Sequence, residues 1–257
     1  MDAQKNYIAL STIVRKEVTR FVRIWSQTLL PPVITQTLYF VIFGNFIGAQ
    51  VRTIHGVSYM SFIVPGLVMM SIINNSFANV VSSFFGIKFQ RSVEELLVSP
   101  MPNWVILLGY TAGGLLRGIS VGFLVFVVSI FFERPQVHNL FLILLFVVLT
   151  SAAFSLAGFL NAMFAKKFDD VSIFPTFVLT PLTYLGGVFY SIQNLPVFWQ
   201  KLSYLNPILY MINGFRYGFY GFSDVPVGGS IFILGVVIVS LTFANLYLLE
   251  KGTGLKN

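Results

Sequence analysis

Residues 140–165, LFLILLFVVLTSAAFSLAGFLNAMFA, run without one charged side chain, with an apolar residue at nearly every position. A helix needs roughly 20 apolar residues to cross ~30 Å of hydrocarbon, so this stretch is long enough to span a bilayer. Further charge-free stretches lie outward from it, over Ile24 to Val51, Thr53 to Ile87, Leu96 to Leu116, Gly118 to Phe132, Val171 to Gln200 and Val225 to Leu249. The piece after Arg117 is too short alone and joins its predecessor as one helix from about Trp104 to Phe132. The expectation is an all-α membrane protein, one domain over 1–257 with six transmembrane helices. Transmembrane β-strands alternate in polarity, and these unbroken runs do not.

Composition agrees. Of 257 residues, 56% are hydrophobic and 10% charged, where a typical globular protein carries about 25% charged. So few ionisable side chains cannot clothe a soluble particle, which excludes a soluble enzyme and a disordered chain. Without cysteine there is no disulfide, thiolate zinc site or cysteine nucleophile, and two histidines leave little for a metal. The net charge of +7 points to a membrane face, not to nucleic acid.

Six crossings put both termini on one side. Lys5, Arg15, Lys16, Arg20, Arg23, Lys88, Arg91, Lys166, Lys167, Lys251 and Lys256 gather there, against Arg52, Arg134, Lys201 and Arg216 opposite. The positive-inside rule therefore places both termini in the cytoplasm. No cleavable signal peptide is expected, because the N-terminal region is long and charged.

Two cytoplasmic segments are amphipathic. In residues 5–25, Tyr7, Leu10, Val14, Val18, Phe21 and Trp25 form one stripe and Lys5, Thr12, Lys16, Thr19 and Arg23 the other, the pattern of a helix lying in the interface. It reads either as a plain anchor or as a helix that also touches a partner. In the loop after the second span, Phe85, Phe89, Val93, Leu96 and Leu97 line one helix face and Lys88, Arg91, Glu94 and Glu95 the other, ended by Pro100 and Pro102. Its aromatic face suits a groove on a cytoplasmic partner, with Arg91 and Glu95 pairing with each other or with that partner; the alternative is a solvated loop. The run Lys166, Lys167, Phe168, Asp169, Asp170 reads as a solvated turn rather than a divalent-ion site.

Catalytic motifs fail. No Gly-x-x-x-x-Gly-Lys-[Ser/Thr] phosphate loop occurs. Gly118-Ile119-Ser120-Val121-Gly122 matches a nucleophile elbow in letters, but inside an apolar helix instead of a strand-to-helix turn. Gly109 and Gly113, then Gly114, Gly118 and Gly122, are spaced four apart and suit close helix packing. The sequon Asn74-Asn75-Ser76 falls within a span. Asn74, Asn75 and Asn79 suggest a polar helix face, as packing glue or as part of a substrate path. Arg117, in mid-span, costs about 2.5 kcal/mol or more to insert. It reads as a contact to an anionic substrate group or as a cation held by helix-end carbonyls or a glutamate.

Pro175, Thr180, Pro181, Gly186 and Gly187, then Leu195-Pro196, Leu205-Asn206-Pro207 and Phe215-Arg216, follow in an order that resembles the membrane subunits of type-2 ATP-binding-cassette exporters. The similarity runs from Val18 to Leu249 and rests on the order of these elements. It implies a bacterial inner-membrane permease, paired as a homodimer and driven by a separate pair of ATPase subunits that bind ATP and magnesium, this chain binding no cofactor. It further implies an N-terminal interfacial helix, a coupling helix at residues 86–99 and re-entrant external helices over 195–221, between spans five and six. The expected ATPase contacts are Phe85, Lys88, Phe89, Arg91, Glu94 and Glu95, and Asn206, Pro207 and Arg216 would hold the re-entrant turn. The expected cargo is amphiphilic. An autonomous channel would need ionisable groups along a path, and the spans offer Arg117 alone; a membrane-embedded enzyme would need an acid/base, metal or nucleophile cluster.

Overall fold

The computed structural model describes residues 3–48, 50, 53–54, 56–252 and 254, apart from the side chains of Asn45, Leu96 and Leu97. Val51, Arg52 and Lys256, used above for a span end and the charge balance, lie outside the described residues.

The elements in order are α1 (Ala3–Arg23), α2 (Trp25–Thr28) and α3 (Leu30–Tyr39), which continues as a π-helical stretch Phe40–Ile47. A hairpin follows, of β1 (Thr53–Ile54) and β2 (Val57–Ser58), then α4 (Tyr59–Phe89), α5 (Val93–Val98), α6 (Asn103–Ser129) and α7 (Leu140–Phe164). Next come α8 (Phe168–Phe174), a π-helical turn Pro175–Leu179 and α9 (Thr180–Leu185), then a 3₁₀ turn Ile192–Asn194, α10 (Val197–Tyr204), α11 (Pro207–Tyr220) and α12 (Val227–Lys251).

Among the described residues, α4, α6, α7 and α12 are long and apolar enough to cross a membrane. The other two expected spans are helical but broken. In the first, Leu29 separates α2 from α3, and Pro31 and Pro32 start α3 where missing amides matter least. The fifth is shorter than expected: it ends at Leu185, where Gly186 and the left-handed Gly187 turn the chain, and not at Gln200. Inside it Pro175 lacks an amide for the preceding turn, and the widened turn that results is closed by Thr180 Oγ1 donating 2.9 Å to the Pro175 carbonyl. The second span starts at Tyr59, not Thr53, because 53–58 forms the hairpin; Ser58 caps it, accepting 3.0 Å from the Ser61 amide.

The core is built around α4. It packs against α6 and α7, while α11 is wedged among α4, α7 and α12. Packed rings tie these seams together, with Phe84 tilted against Phe159 at 4.1 Å and edge-on to Tyr110 at 5.3 Å. The apolar seam alone does not explain the close approach of α4 and α6. A side chain at Gly114, Gly118 or Gly122 would strike Ser155 and Val80, Ser76 and Ile72 respectively, so only glycine admits the neighbours there.

Candidate functional site

Three groups of polar and aromatic side chains stand out from the apolar bundle. The first lies where α1 crosses α6 and the far end of α4. The Glu17 carboxylate is fully buried and accepts from Ser83 Oγ (2.5 Å), Asn79 Nδ2 (3.3 Å) and Arg20 Nη2 (3.1 Å). Arg20 Nη2 also donates to the Asn79 backbone carbonyl and to its Oδ1, both at 2.9 Å. The missing side chain at Gly113 makes room: a Cβ there would sit 2.5 Å from Glu17 Cβ, and one at Gly109 2.6 Å from Ile13. The stripe that α1 turns to the protein is thus Ile13, Glu17 and Phe21. Tyr7 and Trp25, placed by periodicity on the apolar stripe, are exposed and not packed on the bundle, and α1 stops at Arg23 so that Trp25 begins α2.

The second group is the 86–99 segment. It is not one amphipathic helix. α4 runs through Phe89, the chain turns at Gln90–Ser92 with Arg91 in the left-handed region (φ 60°), and only then does the short α5 begin. A non-glycine residue at positive φ is uncommon and marks a sharp change of direction. Arg91 and Glu95 therefore share no helix face, and the only ion pair among the described residues is Arg20 with Glu17. Lys88 points inward: its Nζ donates to the carbonyls of Met163 and Ala165, each at 2.6 Å, neutralising the C-terminal end of α7. Phe89 (58% exposed) and Phe168 (62%) stay at the surface with rings 4.7 Å apart, and Phe85 beneath them lies 5.1 Å from Phe168. Glu94 and Glu95 are exposed on α5, where Glu95 lines a groove with Lys16, Ile87 and Tyr110.

The third group clasps α11 to the end of the broken fifth helix. Asn206 caps α11 by accepting from the Ile208 amide (3.0 Å) and donates 2.6 Å to the Leu182 carbonyl, with Pro207 in the first helical position. Arg216, 0% exposed, donates 2.7 Å to the Gly187 carbonyl and stacks 3.8 Å over the Phe62 ring. Its Nε and Nη1 have no partner among the described residues.

Between these groups Arg117 Nη2 donates to Asn75 Oδ1 (3.2 Å) and the Thr28 carbonyl (3.4 Å), so a helix-end carbonyl and an asparagine hold it, not a glutamate. Asn74, Asn75 and Asn79 do not act together: Asn79 serves Glu17, Asn75 serves Arg117, and Asn74 faces a groove beside α3. Ser120 donates to the Leu116 carbonyl inside α6.

The sequence profile of ABC-2 type transporters matches residues 8–220. This chain belongs to that family. It is 59% identical over 251 residues to the inner membrane transport permease YadH of Escherichia coli K12, covering 98% of both chains. It is 26% identical to nodulation protein J of Rhizobium leguminosarum bv. trifolii over 215 residues (83% of this chain, 82% of the relative), and 26% identical to that of Sinorhizobium fredii over 174 residues (67% and 66%).

The chain is thus an ABC-2 transport permease that carries, among the described residues, four helices long and apolar enough to cross a membrane. The first and third groups, and Lys88 of the second, lie at seams between its helices, the usual place for polar side chains in a membrane bundle. Glu17 escaped the sequence reading. Its signal was there: a lone acid on an amphipathic helix, next to an apolar stripe, with two glycines four apart on a later helix able to receive it.

Proposed function

We infer that this permease is the membrane subunit of an ATP-driven exporter, acting as a homodimer with two ATPase subunits that carry ATP and magnesium. It moves an amphiphilic substrate outward across a bacterial inner membrane. In this reading the two broken helices are crossings as well, giving six, with both termini cytoplasmic, α1 in the interface and α10 with α11 re-entering from outside. α11 suits that role because backbone at membrane depth must be covered by protein, and it packs on three helices.

The observation that carries the reading is the surface pair Phe89 and Phe168 with Phe85 beneath them, drawn from the end of α4 and the start of α8, with the exposed Glu94 and Glu95 following on α5. Exposed aromatic rings, followed in the chain by an exposed acidic pair, fit a socket on a partner subunit. Nucleotide binding shifts the permease only through contacts that differ between its states, and this patch is rooted in α4, the helix that touches most of the bundle. Lys88 serves by fixing the root, holding the end of α7 to the end of α4.

The test is Glu94→Arg with Glu95→Arg in membranes containing the cognate ATPase. The variant should insert and dimerise normally and lose substrate-stimulated ATP hydrolysis. Unchanged coupling would remove the docking assignment, and absence of any ATPase in complexes purified with the wild-type chain would remove the exporter reading.

A further inference from the structure

At the Ser129–Leu140 end of the bundle, α4, α6, α7 and α11 do not fill the space between them. A slot of about 280 Å³ remains, and every residue that lines it is apolar or glycine. Its floor is buried, made of Val68 and Ile72 on α4 and Phe215 and Phe219 on α11. Its rim is not: Phe123 on α6 is 63% exposed and Leu144 on α7 56%, with Val137 of the preceding loop exposed beside them. The slot therefore opens between two membrane-crossing helices, on the surface that meets hydrocarbon.

Apolar cavities stay dry, and one of about 150 Å³ already admits a benzene ring. Left empty, the slot would deprive its walls of contacts on one side. Its shape limits what fills it. α6 and α7 pack on each other and both pack on α4, so a second helix, about 10 Å across, does not enter between them, whereas a single hydrocarbon chain is thinner. Its depth agrees. The lowest lining residues are Ile119, on the helix that ends at Ser129, and Val147, on the helix that starts at Leu140. At about 1.5 Å per residue they lie roughly 10–15 Å below the helix ends, the thickness of one leaflet of a ~30 Å hydrocarbon core. Charge at the mouth agrees too. Arg134 is exposed in the loop that carries Val137, a guanidinium suited to a lipid phosphate, while its neighbour Glu133 is half-buried. The His138 amide fastens this loop to α11 by donating 3.1 Å to the Gly218 and Phe219 carbonyls, so rim and floor form one unit.

We propose that this slot holds one acyl chain of a bilayer phospholipid, packed on the Phe215 and Phe219 rings of α11, with Arg134 on the lipid phosphate. The proposal goes beyond the export reading and needs only that α6 and α7 cross a bilayer. The experiment reconstitutes the full chain in phosphatidylcholine nanodiscs doped with a phosphatidylcholine that carries a photoactivated diazirine in mid-chain, and maps the labelled residues. Bulk lipid reaches the exposed stripe of α12, Phe232 to Phe243, but not the buried rings of α11. Label on Phe215 or Phe219 is therefore the signature, with α12 as internal standard. Val147→Phe, which fills the bottom of the slot, should abolish the α11 label and spare that on α12. Val148→Phe, at the exposed neighbouring position, should change neither. Arg134→Gln should lower the α11 label. An unlabelled α11 in the wild-type chain would overturn the proposal, whether or not Val147→Phe folds, and if Phe123 and Leu144 were silent as well, a second copy or another protein would be what covers the slot. An α11 label that survives in a folded Val147→Phe chain would overturn the slot as its source, and one indifferent to Arg134→Gln would overturn the headgroup contact.

Discussion

Both α4 and α12 carry apolar runs long enough to cross a bilayer, but 89% of the α4 run is buried in protein and only 11% of the α12 run. The less buried helix is the more apolar. On α12 the stripe Phe232, Val236, Val239, Phe243 and Tyr247 faces outward, and its one deep polar contact is inward, Asn245 Nδ2 to the Leu156 carbonyl at 3.0 Å. On α4, by contrast, Ser71, Asn75, Ser76, Asn79 and Ser83 are buried. Lipid tails are as apolar as leucine, so burying more leucine does not hold two membrane helices together; close packing and hydrogen bonds across the seam do. The polar residues therefore collect where protein meets protein, and hydrophobicity marks the outside.

The sharpest way to break that comparison is the same substitution on both sides of it. Gly118→Leu on α6 drives a side chain into Ser76 and the Ile72 carbonyl of α4, whereas nothing lies within 4 Å of a side chain at Gly235 of α12. Gly118→Leu should cost about 3 kcal/mol or more, the upper range for overpacking a core. Gly235→Leu should be neutral or stabilising by up to ~1 kcal/mol, from helix propensity. Thermal unfolding of the purified variants in one detergent checks both. Equal losses would mean that α12 packs against a partner surface and not against lipid.

A smaller effect is expected where charge replaces volume. Glu17→Leu strips the acceptor from Ser83 and Asn79 and the counter-charge from Arg20, and should cost about 3 kcal/mol, as for breaking a buried pair. Glu17→Gln keeps one acceptor oxygen and should cost about 1 kcal/mol. Glu250, exposed at the end of α12, should tolerate leucine within about 0.5 kcal/mol. If Glu17→Leu matched Glu250→Leu, α1 would be held to α6 by its apolar contacts alone.

The sequence reads well where one physical rule dominates. Three of the four long spans were legible from charge-free length, α6 from joining the two runs that Arg117 divides, and the glycines of α6 from their spacing. It reads poorly where two rules compete. Around 86–99 the apolar periodicity argues for one helix, yet Lys88 turns inward to cap α7 and the chain changes direction at Arg91, so the two halves share no face. In the fifth span hydrophobicity continues past Leu185, and nothing in it reveals that Gly187 turns the chain back to receive Arg216. Glu17 was hidden for a third reason: its partners Asn79 and Ser83 lie more than sixty residues away, a pairing that no local window contains.

Asp170 gives the weakest case, a carboxylate outside the bundle doing the local work that Glu17 does within it. Its Oδ2 accepts from the Lys166 amide at 2.8 Å and the Lys167 amide at 3.0 Å, closing the turn before α8. These two backbone donors favour the ionised form and hold the carboxyl below the usual carboxylate range. Since the folded pKa is the lower one, the contribution is complete above the ordinary carboxylate pKa and is lost as pH falls through the depressed value. At neutral pH, Asp170→Asn should therefore reduce hydrogen-exchange protection of the Lys166 and Lys167 amides while leaving the melting temperature unchanged. The difference between variant and wild type should vanish on acidification. Because the group is fully exposed, solvent screens it and the effect stays in one turn. A fall in melting temperature as large as that of Glu17→Leu would show that this outer turn bears on the bundle as much as the buried seam does, and the contrast between inward and outward polar groups would fail.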